Sequence, residues 1–500
     1  MSFKTLIKSI IVLSSPVMKR MKYYLIALFV LSGFYAFSYH IRVEISNCPQ
    51  FYIYLGMHKG PDFVVIDSVP ASNGIADFKS ETVLPHGVYF IVIPPQSRFD
   101  FIIADEQNIV IKTDANDILG QLQINGEKQY SLFNEMQKEI AIINKKRTQL
   151  SMELEFYKSF KPDTVEKINS LIDSLNHSQT VLYSKYKAKL NPIDYLYKVL
   201  NILEPFQVPD QIKNMQYTDP LTHYNYYKNH YLDRIDFNDE SLLNTPEFVF
   251  HKLLKDYCFY FFDTRINKPD EVYSDIDSLI TKTDTNTEYR QYILNYLMSR
   301  YENPSDLRLE AYLVYIYRNY FMVNKPDWVS DVAYSVMQYK IESIQYNIIG
   351  EIARDLKLPD INRNYHSIYE MTSEYKILLF WEPDCDICNE TALILSGNYP
   401  KLKEETNSEI YAVLSGNETK EWVEFIEENG LDWINVYDPA QNSNFSVYYG
   451  TYKTPRLYVL DRYNKIIIKD IKPESIYNFI INYNKNLKEN SDRFNFIFGE

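Results

Sequence analysis

The 500 residues are 46% apolar and 24% charged, the balance of a chain that buries ordinary cores in about three domains. With 13 glycines, well under the usual share of about 7%, it is neither collagen-like nor linker-like, and four cysteines in this length do not make a disulfide-stapled scaffold. The formal net charge of −14 creates a field that repels phosphate backbones, so no nucleic-acid partner is expected.

Lys19, Arg20 and Lys22 precede an apolar run from Tyr23 to Phe37 that ends in Ala36-Phe37-Ser38. A basic start, an apolar stretch shorter than the about 20 residues a spanning helix wants, and a small-x-small terminus read as a secretory signal over residues 1–38, cleaved after Ser38. Met18 or Met21 would serve as an alternative start. An uncleaved segment would associate the protein with the membrane. Both readings place the mature chain in the periplasm or cell envelope.

From residue 39 to 120 the pattern is β-rich. Short period-two segments, among them Arg42 to Ile45, Phe51 to Leu55, Phe63 to Asp67, Gly87 to Val92, Phe99 to Ile103 and Asn108 to Lys112, are spaced by Pro, Gly and Asn. They predict a small antiparallel β-sandwich. No titratable cluster is read in it, and His58 and His86 are expected at the surface or in turns. Cys48, and Cys258 further on, are expected to be small buried hydrophobes.

Residues 128–360 change to helical period. Met136, Ile140, Ile143, Leu150, Leu154 and Tyr157 form one stripe, and Val165, Ile168, Leu171, Leu175, Leu182 and Tyr186 another, predicting an all-α middle domain of antiparallel hairpins. Thr245-Pro246-Glu247 reads as a helix start, with Thr as N-cap and Pro at the first position. The tyrosines between Tyr289 and Phe321 are expected in the core. His223 and His230 lack a third ligand, so no metal is assigned.

Residues 362–485 change again, to α/β. Apolar strands at Ile377 to Trp381, Ile410 to Leu414, Trp433 to Tyr437 and Arg456 to Leu460 are mostly separated by helical segments, which implies β-α-β crossovers and a sheet buried on both faces. Residues 486–500 read as a C-terminal tail.

The chemistry is carried by Cys385-Asp386-Ile387-Cys388, just after the strand ending Phe380-Trp381 and at a helix start. A helix N-terminus presents partial positive charge and free N–H groups, which favours a thiolate on the first cysteine, and the second lies one turn on, within disulfide reach. No second C-x-x-C or nearby His pair exists to complete a zinc site. No cofactor is expected. Thr454-Pro455 opens the last strand and sharpens the reading.

The run Leu378-Leu379-Phe380-Trp381-Glu382-Pro383-Asp384-Cys385-Asp386-Ile387-Cys388, the segment Asp432 to Asp438, and Tyr448-Tyr449-Gly450 leading to Thr454-Pro455 together resemble a TlpA/ResA-type thioredoxin-like thiol-disulfide oxidoreductase. The upstream parts look like the β-rich and helical modules that precede such domains in exported proteins of Gram-negative anaerobes. The resemblance implies a C-terminal thioredoxin-like fold in which Cys385 attacks, Cys388 resolves, and a cis Pro455 packs beside them. It implies that Thr454, Pro455 and Trp381 meet the substrate, Thr454 through backbone groups offered to an extended segment. The implied partners are disulfide-containing client proteins and an upstream thiol electron donor.

This sequence departs from the family pattern in its acidic flanks. Asp384 and Asp386 oppose a thiolate that the helix dipole favours, which argues for disulfide reduction over disulfide donation. Peroxidase chemistry expects Thr or Ser three residues before the attacking cysteine, where this chain has Glu382. The rival reading is a non-catalytic envelope binding or scaffold protein, in which the β-rich and helical modules do the work on a thioredoxin scaffold.

Overall fold

The structure, a computed structural model, describes residues 39–48, 52–94, 97–206, 208–216 and 218–498. The segment read as a signal, 1–38, and Phe51 lie outside them. The chain divides into two compact units, Met1–Tyr260 and Phe261–Glu500. Among the described residues no helix is long and apolar enough to cross a membrane.

The first unit holds two four-stranded sheets. One has the order β4-β1-β7-β8 and the other β3-β2-β5-β6, with β1 Tyr39–Ser46, β2 Tyr52–Lys59, β3 Asp62–Pro70, β4 Ile75–Ser80, β5 Gly87–Ile93, β6 Ser97–Ile103, β7 Asn108–Asp114 and β8 Gln123–Asn125. Strand β1 shows why the period-two reading works: Tyr39, Ile41, Val43 and Ile45 are buried while the residues between them are not. The expected all-antiparallel pairing needs correction at one place. Strands β1 and β7 are parallel, with Ile41 opposite Ile109 and Val43 opposite Ile111, a register that sets these four buried side chains side by side. Strands this far apart in the chain are not joined by a hairpin, so local turn chemistry does not dictate their direction.

His58 is not a surface residue. It is 8% exposed, with Nε2 3.3 Å from Asp100 Oδ2 and its ring 5.1 Å from that of Phe90. A partner carboxylate two strands away, across β5, lets a histidine sit inside. His86 is only partly exposed, 3.3 Å from Asp105.

Helices α1 (Lys128–Tyr157) and α2 (Pro162–Lys187) follow. Glu139 joins them, 2.8 Å from Lys185 and accepting a 2.7 Å hydrogen bond from the Tyr186 hydroxyl. Next come α3 (Tyr195–Leu203), α4 (Pro220–His230) and α5 (Phe250–Phe261). Helix α5 begins later than Thr245-Pro246 suggested. The Thr245 hydroxyl donates to Leu242 O at 2.7 Å and Pro246 forms a bridge with Gly60, so tertiary pairing takes the backbone that the capping signal would have used.

In the second unit α6 (Pro269–Thr281), α7 (Thr287–Glu302), α8 (Glu310–Tyr317) and α9 (Asp331–Ile344) bury Tyr289, Tyr301 and Tyr312 completely. The Tyr301 hydroxyl donates to Asp263 at 3.0 Å, the partner a buried phenol needs. A two-stranded ribbon, β9 (Lys357–Pro359) with β10 (Tyr365–Ser367), precedes a five-stranded sheet. Its strands are β11 Tyr375–Trp381, β12 Ser408–Leu414, β13 Ile434–Val436, β14 Arg456–Asp461 and β15 Ile466–Lys469, in the order β13-β12-β11-β14-β15. The first three run parallel, and β14 and β15 are antiparallel to their neighbours.

Central strand β11 is buried at every position. Ile377, Leu379 and Trp381 enter one core, with Ala392 and Leu395 of α10 (Asp386–Thr406), Trp422 of α11 (Thr419–Asn429) and Ile476 and Ile480 of α13 (Ile476–Phe498), whereas Leu378 and Phe380 enter the other, with Tyr449 of α12 (Phe445–Tyr449). This two-sided burial is what a continuous apolar run in a sheet covered on both faces means. Strand β15, absent from the sequence reading, ends in Lys469, which is 2% exposed and 2.5 Å from Glu310 of α8.

Candidate active site

Strand β11 ends at Trp381, and the chain turns through Glu382-Pro383-Asp384 into α10. Cys385 is the N-cap of that helix, and its sulfur accepts a hydrogen bond from the backbone N–H of Cys388 at 3.3 Å. Asn389 Nδ2 donates to the Pro383 carbonyl at 2.8 Å and pins the turn. The two cysteines are a dithiol. Their environments differ: Cys385 is half-buried, whereas Cys388 has no exposed surface and belongs to the core of the sheet's α10 side. Burial, with contact to Cys385 second, pushes the Cys388 thiol up to about 12, against the smaller opposing influence of the Glu382 backbone and the Thr454 side chain.

The Thr454–Pro455 peptide bond is cis, and both residues are half-buried. The Thr454 hydroxyl donates to Glu382 Oε1 at 3.1 Å. The fold therefore gathers Cys385, Cys388, Thr454 and Glu382, which lie up to 72 positions apart. Glu382 did not figure among the expected site residues. The signal was its position: an acidic residue directly after a buried strand and three before Cys385.

Trp381 stands elsewhere. It is 0% exposed and packs edge-on against Phe425 at 5.3 Å. Its indole offers no face to a client protein, and we assign it to packing. The flanking carboxylates Asp384 and Asp386 are both exposed, so water screens their charge. No group of three or more metal-ligating side chains occurs among the described residues.

An α/β domain whose central strand delivers a dithiol to a helix N-terminus beside a cis-proline loop defines a thioredoxin-like domain. Residues 349–469 match the AhpC/TSA family, residues 39–133 a domain of unknown function (DUF4369), and residues 169–347 another (DUF5106). The chain is similar to a domain of a possible thiol-disulfide isomerase from Cytophaga hutchinsonii, with 32% identity over 28% of this chain and 96% of that one and a TM-score of 0.27. It is also similar to a thioredoxin-like protein from Bacteroides caccae (19% identity, 55% of this chain and 96% of that one, TM-score 0.41). A third similar structure is the thioredoxin domain of a thiol-disulfide oxidoreductase from Bacteroides vulgatus (22% identity, 27% and 96%, TM-score 0.26). No curated protein matches. Over residues 349–469 the chain carries a thioredoxin-like domain of the AhpC/TSA family.

Proposed function

We propose that the protein reduces disulfides of client proteins in the periplasm or cell envelope through Cys385 and Cys388. The observation that carries this reading is the asymmetry of the pair: one sulfur at the helix N-terminus with a backbone N–H aimed at it, the other sealed in the core. The Cys385 thiolate attacks a client disulfide, one client sulfur leaves as a thiol, and a mixed disulfide forms. Cys388 then attacks the Cys385 sulfur, which releases the second client thiol and leaves a Cys385–Cys388 disulfide. An upstream dithiol returns two electrons and two protons.

Resolution requires Cys388 to lose a proton that burial holds tightly. Thr454, beside Cys388 and hydrogen-bonded to Glu382, supplies a path, with the Glu382 carboxylate as acceptor. Thr454 also bears the backbone that would receive an extended client segment, and Pro455 closes that surface. The direction follows from the dipeptide: Asp386-Ile387 contains no cation to stabilise a thiolate, and a couple whose reduced form lacks such help is reducing.

We further take residues 1–38 as the export signal, or an anchor if it is not cleaved. Residues 39–120 and 128–360 are then the modules that present the redox domain, 362–485, to its clients; the stretch read as a tail from 486 continues helix α13 to Phe498. Reduction of insulin by the dithiothreitol-charged protein tests the reading. The wild type is expected to accelerate precipitation and Cys385→Ser to lose that acceleration; equal activity in the two would leave the scaffold reading in its place.

A further inference from the structure

The first unit holds a partly open cavity of about 920 Å³ that the thiol chemistry does not use. Its size falls in the range of small-molecule sites. Apolar side chains make much of the wall, among them Phe99 of β6, Phe133 and Met136 of α1, Ile202 of α3 and Leu253 of α5.

Three arginines also line it: Arg98, which pairs with Asp100 at 3.6 Å, and Arg147 of α1 and Arg234, which have no carboxylate partner among the described residues. Arg147 donates to Asn144 Oδ1 at 3.1 Å and to Gln179. Arg234 donates to the carbonyls of Ile202 and Glu204, at 3.2 and 2.7 Å, and its guanidinium lies 5.0 Å from the centre of the Tyr231 ring. All of these partners are uncharged. The Nε of Arg147 and that of Arg234 are buried and make no hydrogen bond.

The carboxylates on the wall are already engaged. Asp100 pairs with His58, Asp256 with Lys252 and Glu204 with Lys187, and no carboxylate among the described residues pairs with Arg147 or Arg234. Buried charges are normally paired and buried donors normally satisfied. Two half-buried cations without a carboxylate partner, each with one buried N–H left unbonded, line one largely apolar cavity and are complementary to a molecule with an apolar body and an anionic head. Guanidinium favours such heads through its planar fork of donors.

We propose that this cavity binds a small amphiphilic anion, its body against the Phe133 and Leu253 walls and its charge balanced by Arg147 and Arg234. The site is independent of the dithiol and stands whether or not the protein reduces disulfides.

The test uses the full chain and calorimetric titration with four ten-carbon probes: decanoate, decyl phosphate, decanol and decyltrimethylammonium. Decanoate or decyl phosphate is expected to bind, the tighter of the two identifying the head group, with decanol about tenfold weaker or more for loss of the charge-assisted contact and the cationic probe weakest. Arg147→Gln and Arg234→Gln are each expected to weaken the anion about tenfold and to leave decanol unchanged, and Ala141→Trp, which fills the cavity, to abolish all binding. The wild-type probe series does not depend on the variants folding. Decanol binding as tightly as the anions, anion binding that survives both arginine substitutions, or no binding by either anion would overturn the proposal.

Discussion

Removing Cys385 isolates the buried sulfur and makes its burial measurable. In Cys385→Ser the contact with Cys385 disappears, but desolvation, the larger cause of the raised Cys388 value, remains. A thiol pushed from its usual 9.0 to about 12 carries about a thousandfold less thiolate at neutral pH. Its greater intrinsic nucleophilicity returns about twentyfold, for a Brønsted slope of 0.4–0.5. Because the contribution of Cys385 is lost in this variant, about fiftyfold is the upper bound on the slowing of Cys388 alkylation relative to the same residue in the denatured chain, before any steric shielding by the core. The sign with pH follows. The group is protonated at neutral pH, so its rate should rise about tenfold per pH unit from pH 7 toward 11 without a plateau. Iodoacetamide labelling with peptide mapping, native against denatured, reads both numbers. A native rate within about fivefold of the denatured one, or a plateau near pH 9, would refute the claim that burial governs Cys388.

Glu382→Gln should slow formation of the Cys385–Cys388 disulfide from a preformed mixed disulfide by about tenfold or more while leaving Cys385 alkylation nearly unchanged, a split that stopped-flow quenching resolves. Asp386→Asn should shift the redox potential in the oxidising direction by only about 5–20 mV, because an exposed charge contributes about 0.2–1 kcal/mol; a dithiothreitol titration of both forms checks it. Glu310→Ala strands the buried Lys469 ammonium, which also donates to Asn347 O and Oδ1 at 3.1 and 2.8 Å. It should cost about 3–5 kcal/mol in denaturant unfolding, and Glu310→Leu combined with Lys469→Met should recover most of that.

The parts legible in the sequence were those whose physics is local. Ile377 to Trp381 announces a strand buried on both faces because every residue is apolar, and the alternation of a strand puts Trp381 on the same face as Ile377 and Leu379, pointing into the core. Cys385 at the helix N-terminus was legible because strand, turn and helix adjoin in the chain.

What escaped depends on partners far away. Lys469 ends a strand of only four residues, and its ammonium is housed in the interior only because Glu310, in another element, neutralises it. His58 looks like a surface residue until Asp100 arrives from β6. Thr245-Pro246 carries a sound capping signal that loses to a bridge with Gly60. The parallel pairing of β1 with β7 and the meeting of Thr454 with Glu382 are likewise tertiary facts without a local signature.

The equilibrium potential of the Cys385–Cys388 couple tests the central claim most directly, because it decides whether this dithiol gives electrons to clients or takes them. Titration of the full chain against dithiothreitol, with both sulfurs trapped by alkylation and counted by mass, is predicted to give a value close to thioredoxin's, about −270 mV; a value above about −180 mV, in the range of disulfide-forming catalysts, would contradict the reductase account.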